Sequence, residues 1–219
     1  MKYGNLVFKR EGRFTIGDDI QILAIEKLYE YMGVNYNEVQ RIDYRNIGNY
    51  DGEYVILPIN FPIYGCQGDK IFNISEKIIP VFLGLSLLAT SLDEKDVQYL
   101  KRYQPIGCRD YRTVTILKKY GIVSYLNGCI TSLLPLRKNT NADRIYCVDV
   151  EDDILKYMPK NIRKDAEFKS HMYYTSSLSE NSEIIAKRVI NEYKEKAKLI
   201  ITSRLHCALP CSAMGIPVI

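Results

Sequence analysis

The sequence has no tryptophan, only two histidines and no CxxC pair. His171 and His206 have no ligand partner at a standard zinc spacing, so no metal site is predicted. The run that begins at Met1 is strand-like and has no signal-peptide apolar region. The composition therefore favours a cytoplasmic protein with reduced, mostly buried thiols. The six cysteines are Cys66, Cys108, Cys129, Cys147, Cys207 and Cys211.

Long apolar runs and long basic runs are also missing. The nearest candidate for a membrane span, residues 78–89, contains Pro80 and Gly84 and is shorter than the roughly 18 residues that a bilayer requires. The net charge is only +4 and no run of five Lys or Arg exists, so nucleic acid is not an expected partner. This mild basic excess suits a small anionic substrate. We expect no transmembrane segment and leave peripheral membrane association open.

Predicted strands and helices alternate along the chain, which indicates an α/β protein with a parallel sheet. A polar stretch at 135–143 is the best linker, so the predicted domains are 1–137 and 138–219. The second domain would hold two or three strands, fewer than an independent sheet usually needs. We therefore expect an incomplete second domain in a part of a longer protein, with a natural edge-strand terminus as the alternative. Predicted strands include 5–8, 39–43, 53–57, 81–89, 144–150 and 199–202, and predicted helices 20–32, 93–102, 111–120 and 182–196.

The segment Ser203-Arg204-Leu205-His206 follows an apolar strand and precedes a short helix. Ligands of open α/β sheets bind at the carboxyl ends of strands, where a helix start offers free N–H groups and a positive dipole end. Arg204 suits phosphate or carboxylate, and His206 can transfer a proton near neutral pH. This pattern indicates an anion site. The alternative is that Arg204 pairs with a structural carboxylate and that His206 is a hydrogen-bonded core histidine.

A second strand-to-helix turn contains Arg109 and Asp110. Asp110 is expected to cap the helix that starts at Tyr111. Arg109 is a candidate to face a cleft between the two domains, and an ion pair with Asp110 or Asp96 is the alternative. His171 lies in a polar stretch and receives no assigned role.

The third turn is Gly17-Asp18-Asp19, before the first predicted helix. Gly17 permits a close backbone approach to a ligand, and Asp18 or Asp19 can cap the helix. A plain capped turn is the alternative. No GxGxxG fingerprint is present, so the turn does not indicate a dinucleotide cofactor.

Four segments of the chain stand out together: 16–21, 105–110 with Thr113, 127–129, and 202–210 continuing to 215–219. In their sequence and in their order along the chain they resemble the polysaccharide pyruvyl transferase family. The last two are quite specific, and the first alone would be weak. That family is similar to two-domain glycosyltransferases of the GT-B type, so the resemblance implies a Rossmann-like N-terminal domain and an incomplete second Rossmann-like domain.

The resemblance implies transfer of pyruvate from phosphoenolpyruvate to two sugar hydroxyls as a cyclic ketal, in cell-surface or exopolysaccharide biosynthesis. It implies a saccharide or lipid-linked glycan acceptor, and no cofactor besides the donor substrate. Arg204 and His206 map onto donor-site residues and are the predicted catalytic pair. A GT-B glycosyltransferase with a nucleotide-sugar donor and a non-catalytic glycan-binding domain remain alternatives. Predicted substrate-binding residues are Arg109, Ser203, Gly17, Asp18 and Leu205.

Overall fold

A computed structural model of the chain describes residues 1–60, 62–63, 73–177 and 181–219. Cys66 lies outside these residues. The strands are β1 (Lys2–Val7), β2 (Arg13–Thr15), β3 (Gln40–Asp43), β4 (Val55–Ile59), β5 (Pro62–Ile63), β6 (Ile78–Leu87), β7 (Ile106–Cys108), β8 (Ser124–Leu126), β9 (Arg144–Val148), β10 (Ala166–Lys169), β11 (Met172–Tyr174) and β12 (Ala197–Thr202). The α-helices are α1 (Gly17–Tyr31), α2 (Glu94–Arg102), α3 (Tyr111–Lys119), α4 (Asp152–Leu155), α5 (Lys160–Asp165), α6 (Ser182–Lys196) and α7 (Leu205–Ala213).

The chain forms two compact units. Residues 1–9 and 29–130 make the first unit, and residues 10–28 and 131–219 make the second. The predicted boundary after residue 137 assigns residues 10–28 to the first domain, whereas their contacts group them with the second unit. Residues 10–28 join the second unit through distant contacts: the Ile16 N–H donates to the His171 carbonyl at 3.1 Å, and the Ser182 hydroxyl donates to Asp19 at 2.8 Å. No local pattern in the sequence predicts such contacts.

The first unit contains a parallel sheet with the strand order β3-β1-β4-β6-β7-β8, and β5 also pairs with β6. Every pairing in this sheet is parallel. The predicted parallel α/β architecture is therefore confirmed for this unit. Its strands supply much of the buried core because apolar side chains are covered on both faces of such a sheet. These buried residues include Leu6, Leu57, Ile59, Ile78, Phe82, Leu85 and Ile106.

The second unit has a smaller parallel sheet in the order β10-β9-β12. Val218 adds an isolated parallel bridge beside Ile200 of β12. Helix α6 buries one face that includes Ile185, Val189 and Tyr193. A separate antiparallel pair joins β2 to β11. From β9 the chain continues to β10 on one side of that strand and then to β12 on its other side. Ligands of open α/β sheets bind at such a change in the strand order, which lies here between β9 and β12.

Two helices begin with an aspartate cap, and the cap at Asp110 was predicted. Asp93 caps α2 by accepting from the Asp96 N–H at 2.8 Å, and Asp110 caps α3 by accepting from the Thr113 N–H at 2.8 Å. Helix α1 begins at Gly17. Asp18 and Asp19, which were expected to cap this helix, therefore lie within its first turn. In the part of the chain that the structure describes, no helix is long and apolar enough to cross a bilayer.

Candidate active site

The carboxyl ends of β9 and β12 lie side by side, because Thr202 is in register with Val148. The Thr202 hydroxyl donates to the Val148 carbonyl at 2.8 Å and accepts from the Arg204 N–H at 3.0 Å. This double contact fixes the turn that leads into α7. Asp149 directly follows β9, and Ser203 directly follows β12.

A cavity of about 260 Å³ opens at these strand ends. Five of the residues that the sequence predicted for the site line it, and their chemical roles stay predictions. Ligand pockets for drug-sized molecules have volumes of about 300 to 1,000 Å³, so this cavity suits a small anion. The lining residues are Thr15, Gly17, His171, Ser203, Arg204, Leu205 and His206.

Arg204, which lines this cavity, pairs with a carboxylate. Its Nε lies 3.0 Å from Asp149 Oδ2, and the two side chains are 36% and 14% exposed. The carboxylate partner considered from sequence therefore exists. A guanidinium carries five N–H donors, so one contact at Nε does not exhaust it. Burial would raise the pKa of Asp149, but hydrogen bonds from Ser170 and the His171 N–H, together with Arg204, lower it below its ordinary value.

His206 occupies the first turn of α7 with a backbone that departs from helical geometry, at φ −84° and ψ 19°. The imidazole is half-buried. It packs so closely on α1 that a Cβ at Gly17 would lie 2.9 Å from Nδ1. Gly17 thus permits the close approach of this imidazole, and its role in binding a ligand stays a prediction.

His171 and Asp149 are the neighbouring residues that sequence reasoning missed. The His171 side chain is 1% exposed, and its Nε2 lies 3.0 Å from the Tyr193 hydroxyl. Its backbone N–H donates to Asp149 Oδ2 at 2.9 Å. Asp149 was included in the predicted strand 144–150, yet β9 ends at Val148. A polar residue at the end of an apolar strand was the available signal, whereas nothing local marks His171.

Asp18 pairs with a protein cation, and its role in substrate binding stays a prediction. Arg10 Nη1 lies 3.1 Å from Asp18 Oδ2, and Arg10 Nη2 lies 2.6 Å from Asp19 Oδ2. The Asp19 side chain is fully buried and also accepts from the Ser182 hydroxyl. Burial raises the pKa of Asp19, although the charge of Arg10 opposes the shift. These contacts fix the first turn of α1, of which Gly17 is the first residue.

Arg109 belongs to the first unit and directly follows β7. Its N–H donates to the Leu85 carbonyl at 2.8 Å, and its Nη2 donates to the Asn60 carbonyl. The nearby Arg112 donates to the carbonyls of Leu87 and Leu88. The structure thus places Arg109 at strand ends of its own unit, and its role as a second anion clamp stays a prediction.

The remaining thiols and acids do not form a metal centre among the described residues, where no group of three potential His, Cys, Asp or Glu ligands occurs. Cys207 and Cys211 are both buried in α7. A hydrogen bond to Cys207 and burial raise the pKa of Cys211. Cys108, Cys129 and Cys147 are buried as well.

The fold and this site define a parallel α/β protein that holds an arginine and a histidine where two adjacent strands end. The family model of polysaccharide pyruvyl transferases matches residues 16–219. The chain therefore belongs to the polysaccharide pyruvyl transferase family, a family of transferases.

A solved structure supports the fold. The chain is similar to a functionally uncharacterized protein from Klebsiella pneumoniae subsp. pneumoniae NTUH-K2044, with a TM-score of 0.52 and 17% sequence identity over 98% of this chain and 82% of that chain. At this identity the similarity concerns the fold alone. No curated protein matches the chain.

Proposed function

We propose that this protein transfers pyruvate from phosphoenolpyruvate to two hydroxyls of a saccharide, forming a cyclic ketal in cell-surface or exopolysaccharide biosynthesis. The observation that carries the proposal is the presence of Arg204 and His206 in one small cavity where β9 and β12 end. Membership of the family supports the reaction class.

The reaction needs an anion clamp and a proton shuttle. In the proposed first step His206 donates a proton to the methylene carbon of phosphoenolpyruvate, which makes the central carbon electrophilic. A sugar hydroxyl attacks that carbon and returns its proton to His206. Phosphate then leaves, the second hydroxyl closes the ring, and the proton of that hydroxyl goes to the departing phosphate. The products are the ketal and inorganic phosphate.

Arg204 is proposed to bind the phosphate or the carboxylate of the donor. A guanidinium holds either group through two parallel hydrogen bonds, which fixes its orientation as well as neutralising its charge. The N-terminal end of α7 adds a partial positive charge beside Ser203. The acceptor is proposed to be a saccharide or a lipid-linked glycan, with Arg109 as a second anion clamp.

The direct test incubates the protein with phosphoenolpyruvate and oligosaccharides that carry neighbouring diols. We expect release of inorganic phosphate together with a pyruvyl mass increment on the glycan. Consumption of a nucleotide sugar instead would replace this proposal with the glycosyltransferase alternative. Glycan binding with neither donor consumed would favour the non-catalytic alternative.

Two substitutions assign the roles. Arg204→Ala and His206→Ala should each lower kcat/KM by at least about 100-fold, since each removes a group that acts in the transition state. Arg144→Ala is the matched control because Arg144 begins β9, at the opposite end of that strand, and pairs with the exposed Glu167. Its turnover should stay at the wild-type level. Wild-type rates in the Arg204 and His206 variants would show that neither residue acts in catalysis and that both have structural roles.

A further inference from the structure

The geometry points to Asp149 as a positioning residue that holds Arg204 through Nε, so that the terminal pair of guanidinium nitrogens receives the donor anion. Asp149 Oδ2 accepts a hydrogen bond from Arg204 Nε at 3.0 Å. Within the described residues, no protein acceptor takes Nη1 or Nη2 of Arg204. The identity of the anion rests on the proposed function, whereas the aiming of Arg204 does not.

The backbone of Asp149 supports this role independently. Its φ of 46° lies in the left-handed region, and among the described residues it is the only non-glycine residue with a positive φ. Residues held in sparsely populated backbone regions cluster at functional sites. Such a residue persists only where its surroundings determine it.

The surroundings of Asp149 do determine it. Its N–H donates to the Lys169 carbonyl at 3.2 Å, which ties the residue to the end of β10. Its Oδ2 also accepts from the His171 N–H at 2.9 Å. One carboxylate oxygen therefore joins the segment before β11 to the arginine that follows β12. Asp149 is fixed on one side by backbone contacts and fixes Arg204 on the other.

The contact at Nε has a specific consequence for anion binding. A guanidinium presents one two-nitrogen fork that includes Nε and a second fork formed by Nη1 and Nη2. Since Asp149 occupies Nε, the second fork is the one available to phosphate or carboxylate. A lysine offers neither fork, so Arg204→Lys should bind the anion as poorly as Arg204→Ala despite keeping the charge.

Two replacements of Asp149 separate aiming from folding. Asp149→Gly accepts the left-handed backbone without strain. It removes the acceptor of both Arg204 Nε and the His171 N–H, so urea denaturation is used to confirm that the variant folds. We expect its kcat/KM for phosphoenolpyruvate to fall about 10- to 100-fold, because a small misplacement of a binding group has effects of that size. Asp149→Asn tolerates the same backbone and keeps an acceptor oxygen. It should recover to within about fivefold of the wild type, on the same positioning argument.

A double-mutant cycle tests whether Asp149 acts through Arg204. If it does, Asp149→Gly should have no further effect on kcat/KM in the Arg204→Ala background, because residues that act as one unit are not additive. Full additivity would overturn the inference. Failure of Asp149→Asn to recover would also overturn it, because the aiming would then not depend on the hydrogen bond.

Two measurements do not depend on turnover. Calorimetric titration with phosphoenolpyruvate and with inorganic phosphate should show at least about tenfold weaker binding by Asp149→Gly than by the wild type. Hydrogen exchange at the Arg204 Nε–H, assigned by comparison with Arg204→Lys, should accelerate in Asp149→Gly. If the wild type consumes no phosphoenolpyruvate but both changes appear, the proposed function fails and the inference stands. Unchanged exchange overturns the inference whether or not the enzyme turns over.

Discussion

Arg10 and Arg204 both pair with aspartates beside helix N-termini of the second unit, but their surroundings differ. Arg10 is 13% exposed and binds two carboxylates, one of them fully buried, whereas Arg204 is 36% exposed and binds one. Burial raises the pKa of Asp19, while hydrogen bonds overcome burial and lower the pKa of Asp149. An arginine–aspartate pair thus fixes the start of α1 at Arg10, whereas the pair at Arg204 leaves the guanidinium partly available to a ligand.

The largest stability effect should come from Arg10→Ala. This change leaves the buried carboxylate of Asp19 without its cation, and breaking a buried pair in this way costs about 3 kcal/mol or more. Arg204→Ala should change the free energy of unfolding by less than about 1 kcal/mol, because its pair is partly exposed. Urea denaturation of both variants measures the difference. Equal losses would remove the distinction drawn between the two arginines.

Gly17→Ala sharpens the comparison of the two arginine sites. Gly17 directly precedes Asp18, which pairs with Arg10, and it contacts the imidazole of His206. The added Cβ would lie 2.9 Å from Nδ1, so α1 or His206 must move. We expect a loss of about 1–3 kcal/mol from overpacking. If His206 is the proton shuttle, kcat should also fall. Thermal unfolding and steady-state kinetics on the same sample measure both effects, and an unchanged kcat would show that this contact does not position the imidazole.

The smallest expected effect concerns pH. Asp149 has a lowered pKa in the folded protein, so its contribution to stability is present above the unfolded pKa of about 3.9 and is lost as the pH falls through the folded value. Asp19 has a raised pKa, so its contribution is fully present below about pH 3.9 and declines as the pH rises through the folded value.

Asparagine variants test these opposite signs. Asp149→Asn should flatten the acid side of the curve of unfolding free energy against pH. Asp19→Asn should instead remove the decline that begins above about pH 3.9. Urea denaturation between pH 3 and pH 7 follows both curves. Identical pH dependence in the two variants would contradict the assigned pKa directions.

Local patterns carried enough information for some elements and not for others. Helix α6 spans Ser182–Lys196, as its amphipathic pattern predicted. The caps at Asp93 and Asp110 were predictable because a cap depends on residues three positions away. The grouping of residues 10–28 with the second unit was not, since it depends on contacts more than 150 positions apart.

The candidate site shows the same limit. The segment 203–206 could be located because it follows an apolar strand and precedes a helix. That Arg204 faces Asp149 could not, since it depends on β9 and β12 being neighbours and on β9 ending at Val148. His171 is polar in its local sequence but buried in the fold, because Tyr193, 22 positions later, supplies its hydrogen-bond partner.

The membership of residues 10–28 in the second unit also bears on how the chain folds during synthesis. The hydrogen bond between Asp19 and Ser182 spans 163 positions. At about 5–20 residues per second, Asp19 waits roughly 8–30 s after its own synthesis for that partner to be made. Ile16 and Ile20, fully buried in the finished protein, lack their distant partners during this interval. The first turn of α1 is synthesised early, yet we expect it to be among the last parts of the chain to reach its native contacts.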